Sequence, residues 1–427
     1  MKKFCFSFLL CISFFLSKAQ TPIANDSLQV KIVKKDSIKR KAFVQQLGNG
    51  FFPTKYIDID LKYLVKYNQY EGFRNGIGGQ TNNTFSENVR FITYVVYGFG
   101  DQKFKYSIGG GVKLKDKTNT WLNVSYTDDL SETGSSTFLT DSRFFQLFEP
   151  RLLNINLFHK HITKAISLEH QLTPSLIGET EVAISNVNTT YDYQFVVNGK
   201  SFNEIHLSTS KTAVQWSPFS KFETVDNKFK ILKDGYPKFT LQYTKSFNGV
   251  FKGNFNFSKV DFRTIFKKEF ANDAFSLLTV TAGLASGETP LTHLYHAYPN
   301  NINKETVMQR FSVAGVTSFE TMFFNEFFSD RITTFQLKHH LSPFKISRRF
   351  KPELVLITRF AIGDMSHIDR HQQISFNTLD KGYTESGIEI NKLVFGFGLS
   401  FTYRYGAYHL TNIEDNMALK FTFNVTL

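Results

Sequence analysis

The chain has 427 residues, of which 41% are apolar and 16% aromatic, and its formal net charge is +13. Its mean hydropathy is slightly negative, which excludes a bundle of membrane-spanning helices, while its 48 phenylalanines exclude a disordered or collagen-like chain. The basic excess alone would suit a protein that binds nucleic acid, so the charge can be interpreted only once the compartment is known.

The first residues predict export. Lys2 and Lys3 precede an apolar run, Phe4 to Leu16, that is too short to cross a membrane. Ser17-Lys18-Ala19 then resembles a signal-peptidase site. We therefore predict a cleaved signal peptide at residues 1–19.

Export changes how the cysteines and the charge are interpreted. Cys5 and Cys11 both lie in the predicted signal peptide, so the mature chain is predicted to lack disulfides and cysteine metal ligands. The nearest anionic partners of an exported chain are outer-membrane lipid and lipopolysaccharide, and no nucleic-acid partner is predicted. Residues 20–50 are polar and basic, and we predict a short periplasmic or luminal segment there.

Strict alternation of apolar and polar residues dominates positions 51–427. A period of two places the two sets on opposite faces of a strand. The clearest runs are Ile57–Asn68, Lys103–Lys115, Leu278–Leu284 and Phe395–Tyr405, and a weaker run is Phe251–Phe257. Runs of about 9 to 13 residues are longer than soluble strands and suit tilted strands that cross a bilayer. The pattern predicts an all-β fold, a transmembrane antiparallel β-barrel of about 14–16 strands. A large exported sandwich or solenoid is the alternative.

The C-terminus forms a last apolar row. Leu419 begins it, and polar residues separate its further members Phe421, Phe423, Val425 and Leu427. The row looks like the terminal strand that outer-membrane barrels present to their assembly machinery, although those strands usually end in Phe. We therefore predict this strand as an assembly signal.

Strand direction follows if the C-terminus is periplasmic. Counting backwards, 406–418 and 366–384 become external loops, whereas the turn near Asn391 and Lys392 and the basic turn 345–351 become periplasmic. Longer connections then alternate with shorter ones, as membrane barrels require.

The same parity assigns a set of charged residues to the lumen. Such charges form either a lattice of ion pairs or a polar pore lining, and mixed signs favour the lattice because they neutralise one another. The predicted lumen-lining residues are Asp58, Asp60, Lys62, Lys66, Lys103, Lys105, Lys113, Lys115 and Arg404.

Four segments, taken as an ordered series, resemble one family. They are Phe73–Asn82, Tyr97–Tyr106, Asn325–Arg331 and Leu379–Ile388. The chain is similar in these segments to gram-negative outer-membrane proteins of unknown function in which a carboxypeptidase-regulatory-like domain precedes a large C-terminal barrel. The resemblance covers the barrel part, about 52–427, and implies that this chain lacks the regulatory-like domain. More distantly, the barrel looks like the assembly and surface-antigen barrels, whose upstream transport-associated repeats are not found here.

Two motifs within these segments suggest local roles. Arg74 with Gly76, Gly78 and Gly79 could close a strand tightly, and by analogy resembles the Arg-Gly motif on an inward-folded loop of the related secretion barrels. Ser329-Asp330-Arg331 suggests a turn with an internal ion pair, with a recognition role as the alternative.

No residue pattern indicates catalysis or metal binding strongly. His367 and His371 flank Asp369, a spacing that could chelate zinc on a helix, but the segment is predicted to be an external loop. Asp128 and Asp129 could supply an acidic pair, yet no lipase or protease signature surrounds them. We therefore predict no catalytic residue, no cofactor and no metal.

Together these patterns predict a monomeric, non-enzymatic outer-membrane β-barrel. Its predicted role is a membrane-embedded scaffold or a pore of unknown substrate. Two alternatives remain, namely an assembly or secretion translocase-like barrel and an outer-membrane hydrolase of the phospholipase or protease type.

Overall fold

The computed structural model describes residue 47 and residues 50–143, 150–225, 228–344, 346–347, 351–394 and 396–423. The predicted signal peptide and almost all of 20–50 lie outside the described residues. The chain divides into two compact units, Met1–Leu47 and Gly48–Leu427. All described strands belong to the second unit. No helix in the described part of the chain is long and apolar enough to cross a membrane.

The described strands follow one another through the whole second unit. In chain order they are β1 (Phe51–Pro53), β2 (Ile57–Asp60), β3 (Val65–Asn68), β4 (Gly72–Thr81), β5 (Val89–Gly98), β6 (Lys103–Lys115), β7 (Thr120–Glu132), β8 (Phe158–Thr173), β9 (Leu176–Thr189), β10 (Gln194–Val197), β11 (Lys200–Phe202), β12 (Glu204–Trp216), β13 (Lys221–Val225), β14 (Lys228–Lys233), β15 (Lys238–Ser246), β16 (Phe257–Glu269), β17 (Phe275–Gly287), β18 (Pro299–Asn301), β19 (Ser312–Val313), β20 (Phe319–Phe323), β21 (Arg331–His340), β22 (Glu353–Asp364), β23 (His371–Gln372), β24 (Tyr383–Val394), β25 (Phe397–Tyr405) and β26 (Met417–Phe423). Short 3-10 turns lie at Leu61–Tyr63, Leu139–Arg143, Pro150–Leu153, Leu291–His293, Ile368–Arg370 and Ile413–Asn416.

One antiparallel sheet forms the wall of the molecule. In the residues that the structure describes, the main sheet has 19 strands, of which β1 and β19 are short additions at its edges. Because β2 and β3 pair with the two ends of β4, they are halves of one strand, which leaves sixteen strands in the described wall. This architecture confirms the predicted all-β, antiparallel barrel class and lies within the predicted strand count.

The two ends of the sheet do not pair with each other in the part of the chain that the structure describes. β26 pairs with β25 on one side and with β19, in parallel, on the other. At the other end of the sheet, β1 pairs with β2. Both outermost wall strands therefore carry a short partner on part of their outer edges.

The wall is apolar outside and polar inside. Along β25, Leu399, Phe401 and Tyr405 are exposed, whereas Ser400 and Arg404 between them are buried. Strand side chains alternate between the two faces, so the buried polar set faces the interior and the exposed apolar set faces outward. In water such a surface would be unfavourable; against lipid it is the expected one.

Most long connections gather at one end of the wall. They are 133–157, 190–203, 288–330, 365–382 and 406–416. Their side chains build an apolar core that includes Phe195, Leu294, Phe328 and Leu379, and Phe255 of the shorter 247–256 connection joins it. That end of the barrel is consequently capped by packed connections.

Candidate functional site

The 288–330 connection between β17 and β21, called the luminal loop below, folds into the space that the wall encloses. It carries β18, β19 and β20, and its buried side chains include Asn300, Arg310 and Glu320. Buried charges need partners, and the inward-facing residues of the wall supply them.

The first anchor of the luminal loop is the carboxylate of Glu385 on β24. It accepts hydrogen bonds from the backbone N–H groups of Glu320 and Thr321, at 2.9 and 3.0 Å, and from the Thr321 hydroxyl at 2.6 Å. Arg359 of β22 balances its charge from 2.7 Å. One buried carboxylate thus joins the wall to β20.

The second anchor is Glu320 itself. Its side chain accepts hydrogen bonds from Asn300 at 2.7 Å and from Ser318 at 2.6 Å. The ammonium of Lys420, on β26, lies 3.5 Å from the same carboxylate and donates to the backbone oxygen of Asn300. The last wall strand is therefore tied to the centre of the luminal loop.

Two arginines make further contacts. Arg404 of β25 donates two hydrogen bonds to Glu326, at 3.1 and 2.7 Å, and lies over the ring of Tyr383. Arg310, within the loop, contacts Asp415 of the 406–416 connection at 2.8 Å. The planar guanidinium suits such two-pronged contacts, which fix orientation as well as distance.

The opposite wall holds the luminal loop through Glu132, near the end of β7. Its carboxylate is bound by His296 at 2.8 Å and by Arg151. Arg151 also donates to the backbone oxygen of Pro299, at 2.7 Å. The loop is thereby attached on both sides of the lumen.

A segment of the luminal loop covers the outer edge of the last wall strand. Ser312 and Val313 pair in parallel with Lys420 and Phe421, and the N–H of Ala314 donates to the Phe421 oxygen at 2.7 Å. An uncovered strand edge is a template for further pairing, and this segment occupies part of it.

The packed connections at one end of the wall, called the cap below, contain a buried histidine. His371 lies in the 365–382 connection, stacked on Phe195, and its Nδ1 atom is 2.8 Å from the Tyr193 hydroxyl. Burial, with a contribution from the Arg370 charge, lowers the pKa of His371 to about 4. Burial likewise raises the pKa of Tyr193. Both groups are therefore neutral at physiological pH.

The structure places the predicted lumen-lining residues in several local pairs rather than in one lattice. Lys105 contacts Glu71 at 2.7 Å and Asp101 at 2.6 Å, and Lys113 contacts Asp116 at 3.2 Å. Lys62 binds Asp60, its near neighbour, at 2.9 Å. Asp58 accepts a hydrogen bond from Asn82. Lys103 and Lys115 are exposed at the two ends of β6, and Lys66 is half-buried on β3. Of the predicted set, Arg404 alone is described in contact with the luminal loop.

The motif residues of the first glycine-rich segment lie on the wall. Arg74 is part of β4 and forms a two-pronged contact with Asp129, both bonds at 2.7 Å. Gly78 faces the ring of Tyr63, and a Cβ atom there would lie 2.3 Å from that ring. Gly76 and Gly79 also lie on β4. The segment that folds inward is thus the luminal loop, whereas Arg74, which was compared with a motif on an inward-folded loop, lies on the wall.

The second motif leads into β21. Asp330 contacts Arg331, the first residue of β21, at 3.1 Å, and Arg331 also binds Asp364. Ser329 is buried. In the terminal strand, Phe421 is half-exposed and its ring contacts Phe311, and Phe423 ends β26. Val425 and Leu427 lie outside the described residues.

Sequence reasoning missed the residues that hold the luminal loop. Glu385 shares a face with the buried Glu389, opposite the exposed Ile388 and Ile390, so parity could have assigned it to the lumen beside Arg404. Arg359 follows the apolar Val355 and Ile357 on its own face of β22, so parity gives it no such assignment. Nothing in the loop itself signals its position, because its partners lie about 65 to 120 residues further along the chain or on the opposite wall. In the described residues, no group of three or more His, Cys, Asp or Glu side chains could hold a metal.

Comparison with solved structures shows the fold class. The chain matches BamA from Haemophilus ducreyi lacking POTRA domains 1–3 with a TM-score of 0.51 and 9% identity, over 84% of this chain and 68% of that one. It also matches CdiB from Acinetobacter baumannii with a TM-score of 0.44 and 12% identity, over 86% of this chain and 59% of that one. The match to CdiB from Escherichia coli has a TM-score of 0.47 and 10% identity, over 86% of this chain and 62% of that one. A comparison with curated proteins gives no match.

The wall, its inverted polarity and the BamA-like fold define a large transmembrane β-barrel. The model of one family matches residues 52–284, more than half of the chain. The chain belongs to that family, described as the C-terminal domain of a family of unknown function, DUF5686.

Proposed function

We propose that this chain is a non-enzymatic outer-membrane protein whose barrel is a closed, membrane-embedded scaffold. The observation that carries the proposal is the luminal loop, which is anchored on both walls by buried ion pairs and hydrogen bonds. The exposed apolar row of β25 supports the membrane location, and the predicted signal peptide supports export.

The contacts of the luminal loop favour a closed scaffold over an open pore. A pore lining needs charges that face water, whereas Arg359, Glu385 and Lys420 are almost completely buried and bound to other groups. Charges used to hold a loop are not free to select ions.

The environment of Asp129 argues against a hydrolase. Its two oxygens accept hydrogen bonds from Arg74, and one of them also accepts from the Tyr94 hydroxyl at 2.5 Å. A carboxylate held in this way is a poor general base, because its lone pairs are already occupied.

A second candidate function is that of a translocase-like barrel. The observation that favours it is the covered edge of β26, where the pairing partner is a loop segment of two residues instead of the first wall strand. A partner this short leaves a weak point in the wall, since a full strand partner would add several more ladder hydrogen bonds.

Ion conductance of the purified full chain in planar bilayers tests the closed-scaffold proposal. The wild type should give no steady current, and a variant with residues 300–322 replaced by a Gly-Ser linker should conduct continuously. Replacement of residues 248–253, an exposed connection at the same end, serves as the control and should leave the barrel closed. A steady current through the wild type, or a silent loop variant that still shows heat-modifiable gel migration, would contradict the proposal.

A further inference from the structure

A cavity of about 350 Å³ lies between the luminal loop and the wall strands β16, β17 and β21. Tyr295 of the loop and Phe138 of the 133–157 connection line one side of it, and Asp261, Arg263 and Gln336 line the wall side. A second cavity of about 300 Å³ shares Thr279, Thr317 and Gln336 with the first. The two spaces therefore adjoin on the wall side of the loop and together are large enough for a small molecule.

The wall side of the cavity presents an ordered row of polar groups. Arg263 is the register partner of Thr281, which is in turn the partner of Thr334, so the three residues form a line across three strands. Neighbouring strands are about 4.8 Å apart, which makes this line roughly 10 Å long. Gln336 lies two residues from Thr334 on the same face of β21.

Two polar atoms of this row have no partner among the described residues. The amide nitrogen of Gln336 donates to the backbone oxygen of Thr317 at 2.7 Å, but its carbonyl oxygen, Oε1, is buried without a hydrogen bond. Arg263 uses its two terminal nitrogens to bind Asp141, whereas its Nε atom is also buried and unbonded. Buried polar atoms are normally satisfied, so an unpaired acceptor and an unpaired donor on one cavity wall indicate a ligand that offers both.

The charges that line the cavity are compensated within the protein. Asp141 is paired with Arg263. Asp261 accepts a hydrogen bond from Ser136 at 3.0 Å, and its charge interacts with the nearby ammonium of Lys259. A charged ligand would upset this balance in a partly enclosed space, where unpaired charge is costly. The ligand should therefore be uncharged.

Aromatic side chains also line the cavity. The Tyr295 ring lies against Gly283, where a Cβ atom would be 2.6 Å from it, so the wall backbone and the ring are in direct contact. Phe138 is buried, with the Arg263 guanidinium 4.6 Å from its ring centroid. Both rings therefore already contact the wall, and the part of their surface that lines the cavity adds apolar area beside the polar row.

We propose that this cavity binds a neutral saccharide of one or two sugar units. Sugar hydroxyls both donate and accept, so they can meet Oε1 of Gln336 and Nε of Arg263 together. The C–H groups of a sugar ring suit the apolar surface that Tyr295 and Phe138 add to the cavity. The site is independent of whether the barrel conducts, because it depends on the contact between loop and wall and not on an open path.

Saturation-transfer NMR and calorimetry on the full chain in nanodiscs test the site. The probes are maltose, cellobiose and N,N′-diacetylchitobiose, with glucose 6-phosphate as the charged comparison. We expect at least one neutral disaccharide to bind the wild type and to bind better than glucose 6-phosphate. Absence of saturation transfer to all three, or tighter binding of the phosphorylated sugar, would overturn the proposal.

Substitutions in the cavity provide the second arm of this test. Gln336→Leu removes the unpaired acceptor and should weaken binding by about tenfold or more, because the ligand hydroxyl would then be buried without a hydrogen-bond acceptor. Thr333→Val, on the opposite face of β21, is the matched control and should bind as the wild type does. If Gln336→Leu fails to fold, as judged by heat-modifiable migration, Phe138→Ala tests the aromatic side with the same expected loss. Unchanged affinity in the folded cavity variant would rule out this site.

Discussion

Arg359 and Glu385 are register partners on neighbouring strands, with Nη1 of the arginine 2.7 Å from Oε1 of the glutamate and both side chains fully buried. Glu385 also holds the backbone of the luminal loop at Glu320 and Thr321. A buried ion pair adds little net stability by itself, but removal of one partner leaves an uncompensated charge. The pair therefore makes this anchor of the loop, at Glu320 and Thr321, depend on one carboxylate.

Glu385→Gln should loosen the luminal loop. The substitution leaves Arg359 buried without its counter-ion and weakens the acceptor for two loop N–H groups, at a cost of about 3–5 kcal/mol. Hydrogen exchange at residues 319–322 should become faster, and bilayer recordings should show transient openings. The control is Glu181→Gln, which removes an ion pair with Lys211 on β12. Unchanged exchange at 319–322 in Glu385→Gln would show that other contacts hold the loop.

Phe401→Arg should destabilise the barrel in a bilayer. Phe401 lies at the middle of β25 on its outward face and is 40% exposed, so its side chain is expected near the bilayer midplane. An arginine at that depth costs about 2–4 kcal/mol. Urea titration of the protein folded in vesicles measures the loss, with Phe401→Leu as the control. Equal stability of the two variants would mean that this face does not contact lipid.

Gly78→Val should separate the 3-10 turn Leu61–Tyr63 from the wall. The Tyr63 and Tyr94 rings are stacked with their centroids 4.1 Å apart, and the Tyr63 ring lies against Gly78. A side chain at position 78 displaces Tyr63, and such overpacking costs about 1–3 kcal/mol. The urea midpoint should fall, whereas it should stay close to that of the wild type in Gly110→Ala, where the nearest atom to a new Cβ is 3.5 Å away. A wild-type midpoint in Gly78→Val would show that the stack is dispensable.

Alternation predicted the regular strands well because it is a local property. The run predicted at Lys103–Lys115 is β6 without any change of bounds, and the run at Phe395–Tyr405 contains β25. The run Ile57–Asn68 is instead two strands, because Asp60 accepts a hydrogen bond from the Lys62 N–H at 3.1 Å and so stabilises a turn between them. A side chain that bonds to its own backbone can interrupt a strand without disturbing the hydrophobic pattern.

Loops at the capped end were less predictable. Alternation at Phe251–Phe257 predicts a strand, yet β16 begins only at Phe257, and Phe251 and Lys252 have positive φ angles of 43° and 65° in a tight turn. The luminal loop has no periodicity, and its position depends on Glu385 and Lys420, which are distant in sequence. Such long-range polar contacts leave no trace in the local pattern.

The stability of the cap should fall as the pH falls from about 6.5 to about 4. Burial keeps His371 neutral by lowering its pKa from 6.5 to about 4, whereas in the opened cap it titrates near 6.5. Between these two values the opened state binds more protons than the closed state, so protonation favours opening. The stabilisation is fully present above pH 6.5 and is lost progressively below it. His371→Gln, whose side-chain amide can still form a hydrogen bond with the Tyr193 hydroxyl, should remove this dependence.

Hydrogen exchange at residues 371–382, corrected for the intrinsic pH dependence of amide exchange, measures this effect. Local opening in the wild type should become more frequent by up to about tenfold per pH unit within the window, because one proton is taken up on opening. His371→Gln should show a flat profile over the same range, and the difference between the two profiles separates His371 from the exposed His367 and Asp369 nearby. Parallel profiles for the two proteins would mean that His371 is not the group that couples the cap to pH.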